Sequence, residues 1–249
     1  MRKLRFLLLL TGFAIGGLLI GYPYLNETAY AVTANTAIQS FHEQVEAEQN
    51  AIGAEPDMDG AAPVIYPELL KAMRDYNLSL IESGQSDLSS PEAYERSPID
   101  LADYGLEPDS VIGTVYIPAI DLELPLYMGA GKGQMAKGAA VMGGTSLPIG
   151  GESTNAVIAG HRGFQGIPYF RNLDRLKIGD EVLVTNFWGT MTYTVTGTRI
   201  IEPNDVDAIL IEDGKDKITL LTCHPYTVGT QRIVLRSLPS SSWKRPGSL

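Results

Sequence analysis

The sequence predicts a mostly β domain, a barrel or sandwich of short strands, carried behind a helical N-terminal extension. From Val111 onward, apolar and β-branched runs are punctuated by Gly, Pro, Asn or Asp at short intervals, as in all-β folds. Long helical periodicities are missing from that half of the chain. No internal repeat of a few tens of residues is visible, which disfavours propellers and solenoids.

The elements follow in order. Arg2, Lys3 and Arg5 precede Phe6 to Leu25, an uncharged apolar run long enough to cross a bilayer as a helix. The basic flank would stay cytoplasmic and the rest would emerge outside. Ala29-Tyr30-Ala31 also resembles a signal-peptidase site, but the run exceeds the ~7–15 residues of a typical signal core, which favours an uncleaved anchor over 1–31. Val32 to Gln49 is weakly helical and breaks at Gly53 and Pro56, and 55–65 reads as a linker. Pro67 then opens an amphipathic helix, with Leu69, Leu70, Met73, Tyr76 and Leu80 on one face. Gly84 to Pro98 reads as an exposed or mobile loop. Residues 32–104 thus form the extension, 105–238 the β domain and 239–249 a polar tail. Strands are expected at Val111 to Ile117, Glu123 to Tyr127, Asn155 to His161, Asp180 to Asn186, Met191 to Ile201, Lys217 to Thr222 and Arg232 to Ser237. Among these, Thr192, Thr194 and Thr196 alternate with Tyr193 and Val195, as in a half-buried strand.

With a formal charge of −10 and a pI near 4.8, the chain lacks the basic stripe that neutralises phosphates, so nucleic acid is not an expected partner. Its single cysteine, Cys223, excludes an internal disulfide framework and a multi-thiolate zinc site. Cys223 closes an apolar run and precedes His224-Pro225, so it stands at a strand end. A lone cysteine is most often a buried structural residue; an extracytoplasmic setting with histidines near in the fold argues for an active thiol. His42 lies in the polar extension. His224 adjoins Cys223, but neighbouring side chains of an extended backbone face opposite ways. His161, in Gly160-His161-Arg162-Gly163 after an apolar strand, is the histidine free to face the thiol. Acyl transfer also needs positive charge where an oxyanion develops. Arg232 begins the strand after the Cys223 loop and would lie alongside it, whereas Arg236 on the same face stands roughly 13 Å further along.

Thr219-Leu220-Leu221-Thr222-Cys223 with Arg232 nine residues on, together with Gly160-His161-Arg162-Gly163, resembles the active-site motifs of the sortases. Thr145-Ser146-Leu147-Pro148-Ile149-Gly150-Gly151 and Pro225-Tyr226 are similar to the class C, pilus-assembling members in particular. The resemblance covers about 105–238. It implies an eight-stranded β-barrel with N-terminal helices and a transmembrane anchor, and carries catalytic roles onto His161, Cys223 and Arg232. It further implies cleavage of an LPXTG-like sorting signal on secreted surface or pilin proteins through a thioacyl-enzyme. The acceptor would be a pilin lysine or a peptidoglycan precursor amine, with no metal or other cofactor. On that reading Glu202, Asp205, Asp207, Glu212 and Asp213 are solvated loop charges. An inactive membrane-tethered binding module and a purely hydrolytic protease are the competing readings. The sequence departs from the class C pattern in three respects. No Asp-Pro-aromatic lid tripeptide occurs between 55 and 104, although Gly84 to Pro98 is placed where a lid would be. His224 and Gln231 stand where Thr and His are expected, and no second hydrophobic segment ends the chain.

Overall fold

A computed structural model describes residues 2–53, 64–163, 167–226 and 229–239. Most of the 55–65 linker and the tail beyond Pro239 lie outside the described residues. Eight strands close into a barrel: β1 (Gly113–Ile117), β2 (Leu122–Met128), β3 (Ala139–Val141), β4 (Thr154–Ala159), β5 (Glu181–Asn186), β6 (Gly189–Ile201), β7 (Asp216–His224) and β8 (Gln231–Pro239). Their order round the barrel is β1-β2-β3-β4-β7-β8-β6-β5, with parallel pairing at β2–β3 and β4–β7 and antiparallel pairing elsewhere. Seven of these strands overlap the runs anticipated from sequence. The eighth, β3, is three buried residues long, too short for any periodic pattern to show.

Alternation sends one side of each strand inward. Val115, Leu126, Ile158, Val184, Ile218 and Leu235 meet in the barrel interior, each removing roughly 1.5–3 kcal/mol worth of apolar surface from water. A second apolar cluster lies on the outside of the barrel, where Ala140, Val157, Ala159 and Val234 are covered by Ile201, Ala208 and Ile209. Both faces of β4 and β7 are therefore buried. This is why they read as continuous apolar runs rather than alternating ones.

The extension departs from its sequence reading in two places. A single helix, α1 (Arg2–Ile52), runs through both the apolar segment and the stretch that reads as weakly helical, continuing past Pro23 to Gly53 at φ 77°. Its first half is exposed and apolar; its second half gains Ala34, Ile38 and Phe41 as buried contacts on the barrel, which supply the helical stability that local propensity lacks. The amphipathic helix appears as α2 (Pro67–Ser83), its buried face formed by Leu69, Leu70, Met73, Asn77 and Leu80. Gly84 to Pro98 is not a free loop. It forms a 3-10 turn and a short helix, α3 (Pro91–Glu95), and buries Leu88 and Ala93. The Tyr94 carbonyl accepts hydrogen bonds from the amides of Ala130 (2.9 Å) and Gly143 (3.1 Å). A Cβ on Gly143 would stand 2.1 Å from the Ala93 carbonyl oxygen, so this close main-chain approach requires glycine. Contacts of this kind leave no trace in hydrophobic periodicity.

Candidate active site

Cys223 and Arg232 are directly paired across β7 and β8. On the other side of β7, the parallel register with β4 pairs Ala159 with Leu221, and the Gly160 amide extends the ladder by donating to the Leu221 carbonyl at 3.1 Å. The next outward-facing residue on each of those two paths is His161 and Cys223. His161, Cys223 and Arg232 thus stand in one row on three neighbouring strand paths spaced by about 4.8 Å, and all three line one cavity of about 260 Å³.

Each position has a local support. Thr222, buried inside the barrel, donates its hydroxyl to the Gly160 carbonyl at 2.7 Å, tying the residue before the cysteine to the residue before the histidine. Gly160 is required because a Cβ there would meet the Phe170 ring at 2.8 Å. The His161 carbonyl accepts from the Phe170 amide, and its ring lies edge-on to Tyr169 at 5.7 Å. Burial pushes the His161 imidazole below its ordinary value of 6.5, favouring the neutral ring. The same cause raises the Tyr169 hydroxyl to about 12.

Arg232 is half-buried and donates from Nη1 to the carbonyls of Gly229 (3.0 Å) and Gln231 (2.9 Å), which hold its guanidinium at the mouth of the β7–β8 loop. Gly229 approaches the cysteine closely; a Cβ added to it would lie 3.9 Å from the Cys223 sulfur. Cys223 is a free thiol of intermediate exposure. His224 is turned to another partner: its Nδ1 lies 2.6 Å from Nη1 of Arg162. Arg236 lies opposite Thr219 and bonds the Ala208 carbonyl, away from the thiol, and His42 sits exposed on α1.

The cavity walls come from segments whose role the sequence does not announce. Tyr94 of α3 forms one wall. Ile201, Val206 and Ile209, from the end of β6 and the 202–215 segment that follows, also line the cavity. That segment is fastened to the barrel by the buried Asn155, whose carboxamide donates to the Ile209 carbonyl at 2.7 Å and accepts from Thr219 at 2.8 Å. Gln85 joins it to the Gly144 carbonyl and the Ile211 amide. Glu212 is no simple solvated charge: it pairs with Lys217, whose side chain is 4% exposed, and with Lys215, and these two lower its carboxyl to about 2. Among the described residues, no group of three or more His, Cys, Asp or Glu is arranged to hold a metal ion.

Arg162 follows the histidine in its motif. It is buried, pairs with Asp174 at 2.7 Å and bonds the Cys223 carbonyl at 3.3 Å, so it links the His161 segment to the end of β7. Its adjacency to the histidine was the available signal. Tyr94 offers none, since its hydroxyl bonds the Leu88 carbonyl and its own carbonyl bonds the remote amides of Ala130 and Gly143.

The arrangement supplies a thiol, a half-buried imidazole and a guanidinium along one groove, the group types required to attack a carbonyl, move a proton and stabilise an oxyanion. The chain is similar to known proteins over this region. The sortase domain family model matches residues 115–240. The chain is 32% identical over 127 residues to sortase A of Listeria monocytogenes, covering 51% of this chain and 55% of that protein, little more than half the relative's length. Among solved structures, sortase C1 of GBS pilus island 1 superposes with a TM-score of 0.70 at 27% identity, covering 85% of this chain and 100% of that one. Sortase C of Clostridium perfringens with the C-terminal cell wall sorting motif gives 0.65 at 29% identity, covering 83% and 99%.

Proposed function

This chain belongs to the sortase family, and from that premise we propose that it is a membrane-anchored cysteine transpeptidase that assembles pilins through an LPXTG-like sorting signal. The carrying observation is the single row of His161, Cys223 and Arg232 across β4, β7 and β8 at one cavity. Similarity to sortase C1 of a pilus island favours the pilus-assembling class, and the Clostridium perfringens sortase C solved with a sorting motif supports a peptide substrate of that kind. α1 is long and apolar enough to cross a membrane, and the Arg2, Lys3 and Arg5 flank supports an extracytoplasmic barrel under the positive-inside rule.

In the proposed reaction, Cys223 sulfur attacks the threonine carbonyl of the sorting signal as its proton passes to His161. Arg232 and main-chain amides stabilise the tetrahedral oxyanion. The His161 imidazolium then protonates the leaving glycine amine, and a thioester remains on Cys223. An incoming pilin lysine gives its proton to His161 as it attacks the thioester, forming an isopeptide bond and freeing the thiol. Wall anchoring differs only in the amine, that of a peptidoglycan precursor.

Mass spectrometry of the protein incubated with an LPXTG peptide and either a lysine or a glycine amine tests this reading. A Cys223-linked acyl adduct and transfer to lysine are expected, and Cys223→Ala abolishes both. Preferred transfer to glycine points to wall anchoring. Absence of any adduct across varied peptides favours an inactive binding module.

A further inference from the structure

The anchor helix and the groove share one end of the barrel. β4 and β7 both run toward Cys223, so one end of the barrel holds the start of β5, the end of β6 and the β4–β5 and β7–β8 connections. The opposite end holds the β5–β6 turn with Phe187 and Trp188. α1 meets the Cys223 end first. Tyr30 packs on Tyr169 with ring centroids 4.9 Å apart and donates to the Lys137 carbonyl at 3.1 Å. Eleven residues later, Phe41 packs on Phe187 at the far end. The helix therefore travels along the barrel away from its own apolar half, and the apolar half projects from the Cys223 end. Leu25, where the apolar run stops, is five residues from Tyr30, about 7.5 Å along an unbroken helix. Exposed Tyr22 and Tyr24 stand where interfacial aromatics are expected.

The β4–β5 connection at that end has the matching chemistry. From His161 to Ile178 it carries Arg162, Arg171, Arg175 and Lys177 against Asp174 alone, in a chain of net charge −10. Asp174 is already paired with Arg162, while Arg175 and Lys177 are exposed and Ile178 protrudes at 77% exposure. The Asp180 carboxylate is turned back onto the Lys177 amide. Elsewhere at the same end the charge is acidic, with Asp121 on the β1–β2 turn and Glu202, Asp205 and Asp207 after β6, of which Glu202 bonds Gln231 and Asp205 pairs with Arg199, so the attraction to anionic headgroups is confined to the β4–β5 connection.

We infer that the Cys223 end of the barrel is held against the bilayer, with Arg175, Lys177 and Ile178 seated on anionic lipid headgroups. The groove then opens beside the membrane surface, within reach of a sorting signal that has just left the bilayer. The inference rests on the membrane-anchor reading of α1.

The test uses the full chain in vesicles. Cys223→Ala removes the native thiol, and a single cysteine at Ala119→Cys (Cys223 end) or Thr190→Cys (far end) carries a donor fluorophore against a headgroup-labelled acceptor lipid. Flotation with the vesicles and resistance to alkaline extraction are measured first; failure of both defeats the anchor reading itself. With anchoring established, stronger energy transfer from position 119 than from 190 is expected, and equal or reversed transfer overturns the orientation. In phosphatidylglycerol vesicles, Arg175→Glu with Lys177→Glu should lower transfer from position 119. Each basic residue is worth on the order of fivefold in the docked population. In phosphatidylcholine vesicles the same pair should change little. An equal effect in both lipids, or none in either, overturns the headgroup contact.

Discussion

Arg162 and His224 meet at the end of β7, Nη1 to Nδ1, at 2.6 Å, and the same guanidinium nitrogen reaches the Cys223 carbonyl. A guanidinium only donates, so Nδ1 accepts and His224 is fixed as a structural partner of Arg162 rather than a partner of the thiol. The histidine adjacent to Cys223 in sequence is thereby engaged elsewhere, and His161 is the histidine that lines the groove with the thiol.

Replacing Arg162 tests that linkage. Arg162→Ala should slow acyl-adduct formation at Cys223 and cost about 1–3 kcal/mol of stability, because the Cys223 carbonyl and His224 lose a buried donor. Asp174→Asn should cost well under about 1 kcal/mol, since Asp174 is half exposed. Adduct kinetics and thermal unfolding of the two variants provide the comparison.

The rate should depend on the His161 proton. Burial lowers its pKa, so the neutral imidazole persists to pH values below 6.5 and the acid limb of acylation should lie below that value. His161→Ala should remove this limb and slow acylation by about 10²–10⁴-fold. An acid limb centred above 6.5 would contradict a half-buried base whose pKa desolvation lowers.

Arg232→Ala should lower the acylation rate by about 10²–10³-fold with little change in unfolding temperature, as expected for loss of an oxyanion donor at a half-exposed site. Arg236→Ala, whose guanidinium bonds Ala208 instead, should leave the rate nearly unchanged. Single-turnover acylation of the two variants side by side distinguishes them.

Glu212 couples groove-wall stability to pH. Its folded pKa of about 2 is below the ordinary 4.5, so its contribution is present above 4.5 and fades as pH falls toward 2. Glu212→Gln should cost on the order of 1–3 kcal/mol at neutral pH, the full buried-pair loss being discounted because Glu212 is 38% exposed while Lys217 is 4%. Denaturant unfolding at pH 7 and pH 3 should show the difference shrinking.

Tyr94 lines the cavity that holds the thiol. Tyr94→Ala removes a cavity wall yet keeps the carbonyl that anchors α3 to Ala130 and Gly143, so Cys223 alkylation should become several-fold faster with the fold retained, at a cost of about 1 kcal/mol for the lost hydroxyl bond to the Leu88 carbonyl. Gly143→Ala should instead destabilise the protein, because its Cβ collides with the Ala93 carbonyl. Iodoacetamide kinetics with a thermal melt on each variant checks both.

The sequence by itself determined the β class, seven of the eight strands, the buried face of α2, the apolar first half of α1 and the identities of His161, Cys223 and Arg232 as the residues to watch. These are properties of local pattern: strand punctuation, helical spacing and residue types at strand ends. Only the tertiary structure decided how they meet. The parallel β4–β7 register carries His161 to Cys223, and the antiparallel β7–β8 register sets Arg232 opposite it. β3 owes its existence to pairing with β2 and β4. The second half of α1 becomes helical by packing on the barrel, and 84–98 is ordered by main-chain bonds to Ala130 and Gly143. Arg162 acquires its role from His224 and Asp174. In each case the stabilising partner is remote along the chain, and the free energy of such a contact exists only once the fold has brought the two together.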